Sequence, residues 1–154
     1  MEILQASAKD AKEILDLQKT AFESEAELYG NYSIEPLNQS IEEIKQQFSN
    51  YIFLKAVSSA DGSIVGTVRA FERDGTCYIG KLAVSPKMQN NGIATLIMKE
   101  IEKYFKCKRF ELFTGIKSEK NIYLYKKLGY SVFKKEQKGC GGNIEIVYME
   151  KTVK

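Results

Sequence analysis

Apolar positions along the chain fall into two textures. In the first, they recur at helical spacing. Ser7 stands before Ala11, Ile14, Leu15, Leu17 and Phe22, which share one face of a helix that the serine opens. Tyr29-Gly30-Asn31-Tyr32 and Glu35-Pro36 interrupt that helix. Ser40 with Glu43 three residues on forms a capping box, and Ile41, Ile44 and Phe48 give the second helix one apolar face. The second texture is β-branched and aromatic. Residues 51–57, 64–72 and 77–84 read as three strands, with hairpin turns at Asp61-Gly62 and Asp74-Gly75. A short strand around Ile3 and Gln5 precedes the first helix. After Pro86 come a helix over about 91–104, a strand over 109–114 and a helix over 118–127. A final pair of strands, 130–135 and 143–151, is joined by Gly139-Cys140-Gly141-Gly142. The order β-α-α-β-β-β-α-β-α-β-β is an α+β pattern with a meander in the middle and βα units after it.

Composition narrows the chemistry. The 154 residues suit a single domain spanning 1–154. There is no histidine. That removes Ser-His-Asp and Cys-His catalysis and every histidine-based metal site. Carboxylates, tyrosine, lysine, cysteine and backbone dipoles are left, and no metal is expected. Cys77, Cys107 and Cys140 are odd in number and lack the C-x-x-C spacing, so they read as reduced thiols. Cys140, between two glycines, also reads as an exposed reactive thiol. No apolar run is long enough to span a bilayer, and the first residues lack the layout of a secretion signal. The expected location is cytoplasmic, with no membrane partner.

Charge is unevenly shared. Residues 1–77 carry 7 basic and 13 acidic side chains, whereas residues 78–154 carry 16 basic and 7 acidic. The basic half suits phosphates and the acidic half suits a cation. Plain solvated surface explains the split equally well. A nucleic-acid reading through Lys99, Lys103, Lys106, Lys108 and Arg109 lacks any accompanying motif, so no nucleic-acid partner is expected.

The stretch that carries chemistry is Leu82-Ala83-Val84-Ser85-Pro86 followed by Gln89-Asn90-Asn91-Gly92-Ile93-Ala94-Thr95. A strand runs out, a polar loop follows and a helix begins at a glycine. The first N–H groups of a helix have no internal partner, and the helix dipole adds positive potential there. Gly92 and Ala94 have no bulk to block a phosphate. The string is not a P-loop, since no Gly-Lys-Ser/Thr follows, and it lacks the dinucleotide-binding spacing. Packing or capping at a helix start accounts for it as well. Further on, Leu124-Tyr125-Lys126-Lys127-Leu128-Gly129-Tyr130 runs from a helix into a strand.

These two stretches together resemble the paired motifs of the GNAT N-acetyltransferase superfamily. Leu82, Val84 and Pro86 match its strand, Gln89, Gly92 and Ala94 match its loop, and Leu124 to Tyr130 match its second motif. The resemblance implies a mixed, mostly antiparallel central sheet flanked by helices. It implies acetyl-CoA as cosubstrate, with the pantetheine arm along Leu82, Ala83 and Val84. Gln89, Asn90, Asn91, Gly92, Ile93, Ala94 and Thr95 would hold the pyrophosphate, and an amide near Leu82 would polarise the thioester. Tyr125 would be the general acid that protonates the leaving thiolate and would also contact the cofactor. The same tyrosine reads as part of a helix core face. Two positions depart from the pattern. The helix-start slot, often Asn in the family, is Ser118, and Asn121 falls where the family often has Ala. Both are expected to face the cofactor.

The general base is chosen as Glu72, because it ends the strand before the cofactor strand; it also reads as a solvated turn residue. The acceptor is expected to be a small-molecule or peptide amine. Its site would come from residues 25–36, where Glu25, Glu27 and Glu35 lie, and from the 139–143 loop. The chain is expected to act as a monomer or homodimer. A non-catalytic acyl-CoA-binding or interaction module on the same fold is the alternative.

Overall fold

The structure is a computed structural model in which residues 1–138 and 144–153 are described. Seven strands form one sheet: β1 Glu2–Gln5, β2 Ile52–Val57, β3 Ile64–Arg73, β4 Thr76–Val84, β5 Arg109–Gly115, β6 Ser131–Lys138 and β7 Ile144–Thr152. Their order across the sheet is β1-β2-β3-β4-β5-β7-β6. Every neighbouring pair is antiparallel except β4 with β5. The helices are α1 Ala11–Tyr29, α2 Glu35–Asn38, α3 Ile41–Gln47, α4 Ile93–Lys103 and α5 Glu119–Lys127. The expected α+β order holds, with α2 as an added single turn. Pro36 was read as a breaker, yet it stands in the first turn of α2, where its missing N–H leaves no bond unmade.

Alternation along β2 assigns the helices to two faces. Phe53 packs with Ile14, Leu17 and Ile44 of α1 and α3. Leu54 and Ala56 pack with Ile93, Ile97 and Ile101 of α4, and Tyr125 of α5 joins the same cluster. The local signals behave as the sequence suggests. Ser40 Oγ accepts the Glu43 N–H at 3.1 Å, and Glu43 Oε1 accepts the Ser40 N–H at 3.0 Å. Asp74 and Gly75 take φ of 51° and 82°, the two left-handed residues that a tight type I′ hairpin needs.

Under α1 and α3 lies one buried cation. The Arg69 guanidinium donates to Gln39 Oε1 at 3.1 Å, to Gln47 Oε1 at 2.7 Å and to Gln18 Oε1. It also stands 4.6 Å above the Phe53 ring. Burial pulls its pKa down to about 10. The three glutamines come from α1, the α2–α3 link and α3, so this one side chain fastens that whole layer to β3.

Candidate active site

Two irregularities open the sheet. β4 and β5 pair only at Thr76–Arg109, Cys77–Phe110 and Tyr78–Glu111, although both strands continue. On its other side β4 carries a bulge. Thr67 faces Ala83 and Arg69 faces Gly80, so Val68 opposes both Lys81 and Leu82. Lys81 sits there at φ 55°. An extra residue bends a strand and re-aims its side chains. Here the far half of β4 parts from β5, and the edge it turns to the gap has no strand partner.

The gap is a cleft of about 390 Å³. Leu82 and Gly80 line one wall, and Leu112, Phe113, Thr114 and Gly115 line the other. Glu25, Tyr29 and Glu35 reach in from α1 and α2, Asn121 and Tyr125 from α5. Beyond Ala83 and Val84, the exposed loop Gln89-Asn90-Asn91 leads to Gly92, which caps α4 at φ 77°. Asn90 is left-handed as well, at φ 68°. The first amides of α4, those of Ile93, Ala94 and Thr95, therefore precede any intrahelical acceptor. A peptide-like edge and a helix N-terminus thus follow one another along β4.

Tyr125 is held from its own helix end. Tyr130 N–H donates to Tyr125 O at 2.9 Å and Gly129 N–H to Lys126 O at 3.0 Å, with Gly129 at φ 101°. This is a Schellman stop. It returns the Tyr130 ring edge-on to Tyr125, at 6.1 Å between centroids. Tyr130 is anchored in turn by its hydroxyl, which donates to Glu102 Oε2 at 2.7 Å. Tyr125 is 6% exposed, and none of the described residues hydrogen bonds its hydroxyl. Burial raises its pKa, and the negative charge of Glu25 raises it further.

The expected site residues divide into groups. Leu82, Asn121 and Tyr125 line the cleft together, and Ala83, Val84 and the Gln89 to Thr95 stretch continue from it. Asn121 Nδ2 donates to Thr114 Oγ1 at 3.3 Å. Ser118 caps α5, but its hydroxyl donates to Glu25 Oε1. Glu72 is exposed, opposite Cys77 beside the Asp74-Gly75 turn. Leu82 stands five residue steps beyond Cys77 on β4, about 16 Å along a strand. Glu72 is therefore not brought to the cleft. Cys140 and the 139–143 loop lie outside the described residues. The sequence did not single out Tyr29, whose hydroxyl accepts the Lys117 N–H at 2.7 Å, nor Lys81, whose ammonium meets Glu35 Oε1 at 2.5 Å. Burial raises the Tyr29 pKa above its ordinary value.

The model of the GNAT acetyltransferase family matches residues 11–130. The chain belongs to that family. Solved structures share its fold. A PaiA N-acetyltransferase from Thermoplasma acidophilum, in complex with coenzyme A, aligns at a TM-score of 0.80 and 19% identity over 99% of this chain and 98% of that one. The ribosomal-protein-S18-alanine N-acetyltransferase from Escherichia coli aligns at 0.78 and 14% identity, over 98% and 92%. A spermidine N-acetyltransferase chimera from Vibrio cholerae and hSSAT aligns at 0.73 and 15% identity, over 99% and 96%. No curated protein sequence matches the chain. An acetyltransferase of this family uses acetyl-CoA, and the residues present suit it: an unpaired strand edge for an amide-bearing arm, and free helix amides for a pyrophosphate. Among the described residues no cluster of Cys, Asp and Glu could hold a metal ion, and no helix is long and apolar enough to cross a membrane.

Proposed function

We propose that this acetyltransferase moves an acetyl group from acetyl-CoA to a primary amine by direct attack, with Tyr125 as general acid. The observation that carries this reading is the Tyr125 side chain: its ring is buried against Tyr130, and its hydroxyl, which no described residue hydrogen bonds, opens to the cleft where β4 leaves β5. When the amine nitrogen bonds to the thioester carbon, the carbon–sulfur bond breaks and the thiolate needs a proton. A raised tyrosine pKa keeps that proton in place at neutral pH. The departing sulfur, whose thiol has a pKa of about 8.5, is basic enough to take it only as the carbon–sulfur bond breaks. The tyrosine therefore acts late in the step and yields CoA-SH and a tyrosinate that solvent reprotonates.

The amides of Leu82, Ala83 and Val84 are assigned to the pantetheine arm, with one near Leu82 to the thioester oxygen. The amides of Gln89, Asn90, Asn91, Gly92, Ile93, Ala94 and Thr95 are assigned to the pyrophosphate, and Asn121 to the cofactor's reacting end. Glu25 takes the role first sought in Glu72. It is the carboxylate of the cleft that no described cation pairs, and it is close enough to Tyr125 to shift its pKa. It receives the ammonium and accepts the proton that the amine must lose.

The test is Tyr125→Phe. Turnover should fall about 10²- to 10⁴-fold, the usual share of a positioned acid, while calorimetry shows acetyl-CoA affinity unchanged. Unaltered turnover removes Tyr125 as the acid. Tight acetyl-CoA binding with no thiol release across a broad amine panel replaces the enzyme with an acyl-CoA-binding module.

A further inference from the structure

The charges inside the cleft carry information about the acceptor. Among the described residues that line it, three are charged: Glu25, Glu35 and Lys81. Glu35 and Lys81 meet at 2.5 Å and cancel. Glu25 has a neutral donor, the Ser118 hydroxyl, and no cation. The cleft is left with one negative charge. Apart from Tyr29, whose hydroxyl is taken up by the Lys117 N–H, the other groups reaching in on the acceptor side are apolar: Phe22, Ile34, Pro36, Ile144 and Ile146.

Lys81 is in the cleft because of the bulge. In a regular strand its neighbours would fix its face by alternation, but Lys81 is one of the two residues opposing Val68 and has a left-handed backbone. Its side chain is only 20% exposed. A lysine turned inward onto Glu35 spends one of two carboxylates that would otherwise hold a second cation.

Resting on the acetyl-transfer reading above, we propose that the acceptor is a primary amine with a single positive charge and an apolar body, and that the Lys81–Glu35 pair sets this selectivity by excluding a second ammonium. The amine's ammonium docks at Glu25 and its hydrocarbon part lies against Ile34, Ile144 and Ile146. A diamine would bring a second ammonium against Lys81, and an ω-amino acid would bring its carboxylate against Glu35. Each such mismatch sets like charges together in a cleft that is only partly open to water, where the Glu35 side chain is 56% exposed.

The experiment uses three probes of equal chain length: pentylamine, 1,5-diaminopentane and 5-aminopentanoate. Each is titrated calorimetrically into protein saturated with CoA, and each is then assayed for CoA thiol release from acetyl-CoA. Wild type should bind pentylamine about tenfold more tightly than either other probe, the scale of one charge-assisted contact. Lys81→Asn tolerates the left-handed backbone and frees Glu35, so the preference over the diamine should vanish or reverse. Glu35→Gln leaves Lys81 unpaired, so pentylamine should weaken and 5-aminopentanoate should gain on it. Tighter diamine binding by wild type, ratios unmoved in both variants, or no binding of any probe overturns the proposal. The expected binding ratios with no thiol release from any probe leave the selectivity standing and defeat the acetyl-transfer reading instead.

Discussion

Tyr29, the last residue of α1, lies directly against Gly115, the last residue of β5. A Cβ at position 115 would overlap the tyrosine hydroxyl and stand 2.8 Å from its Cε2 carbon. The hydroxyl is fixed there by the Lys117 N–H at 2.7 Å, so the ring cannot simply swing aside. The contact sets how close the end of α1, with Glu25, comes to the end of β5.

Gly115→Ala should therefore push α1 off the cleft. We expect a stability loss of about 1–3 kcal/mol, the usual cost of an overpacked contact. The acceptor KM should rise while acetyl-CoA affinity holds, because β4 and α4 are untouched. Urea denaturation and calorimetry check the two parts separately. Gly115→Ala with normal stability would mean that Tyr29 is free to move.

Ser118 gives a sharper division. The family resemblance assigns this slot to the cofactor, whereas in the structure its hydroxyl donates to Glu25. Ser118→Ala removes that donor and leaves the α5 backbone its helix. If the hydroxyl serves Glu25, the acceptor KM rises about tenfold or more, the worth of a hydrogen bond to a charged group. Acetyl-CoA affinity then stays level. A loss confined to acetyl-CoA affinity would restore the cofactor role.

What could be read from the sequence follows from what is local. The Ser40–Glu43 box, the Asp74-Gly75 turn and the apolar faces of α1 and α4 each depend on residues a few positions apart, so their spacing announces them. The cofactor half of the site is of this kind, because Leu82 to Thr95 is one continuous stretch. The acceptor half is not. Tyr29 meets Gly115 and Glu35 meets Lys81 only after folding, and no spacing rule connects them. The bulge at Lys81 was hidden for another reason: a strand read by alternation has no place for an extra residue. Glu72 ends the strand expected over 64–72, one residue short of the end of β3. In an antiparallel hairpin that end abuts the start of β4, while Leu82 stands near its finish.

Arg69 is the next element open to test. It is 2% exposed and has three glutamine oxygens but no carboxylate. Arg69→Met keeps much of the volume and strands the Gln18 and Gln47 oxygens, while Gln39 Oε1 keeps the Gln18 amide at 3.0 Å. Leaving buried acceptors unpaired costs about 1–3 kcal/mol each, less where water enters. We expect a net loss of about 3 kcal/mol and a lower Tm in a thermal scan. Arg69→Lys should recover only part of it, since an ammonium cannot fork toward three helical segments. An unchanged Tm in Arg69→Met would show that the glutamines satisfy one another.

Alkaline pH offers a test of the core around the acid. Burial raises the pKa values of Cys77, Tyr125 and Tyr130 above their ordinary values of 9.0 and 10.0, and Glu102 adds to the shift at Tyr130. The folded state therefore holds these protons more tightly than the unfolded chain. Their contribution to stability is complete below the unfolded pKa and is lost as pH climbs toward the folded one. Each group removes about 1.4 kcal/mol per pH unit beyond its ordinary pKa. The decline should begin near pH 9 with Cys77 and steepen past 10 with the tyrosines. Arg69, drawn down to about 10, opposes them only above that pH. Urea unfolding at intervals from pH 7.5 to 10.5 should trace this curve. Burial raises the Cys107 pKa as well. Cys77→Ala should therefore make the decline from pH 9 shallower, and the double variant Cys77→Ala/Cys107→Ala should delay its onset toward 10. Stability that stays flat through pH 10.5, in wild type and variant alike, would mean that these side chains ionise in the folded protein as readily as in the unfolded chain.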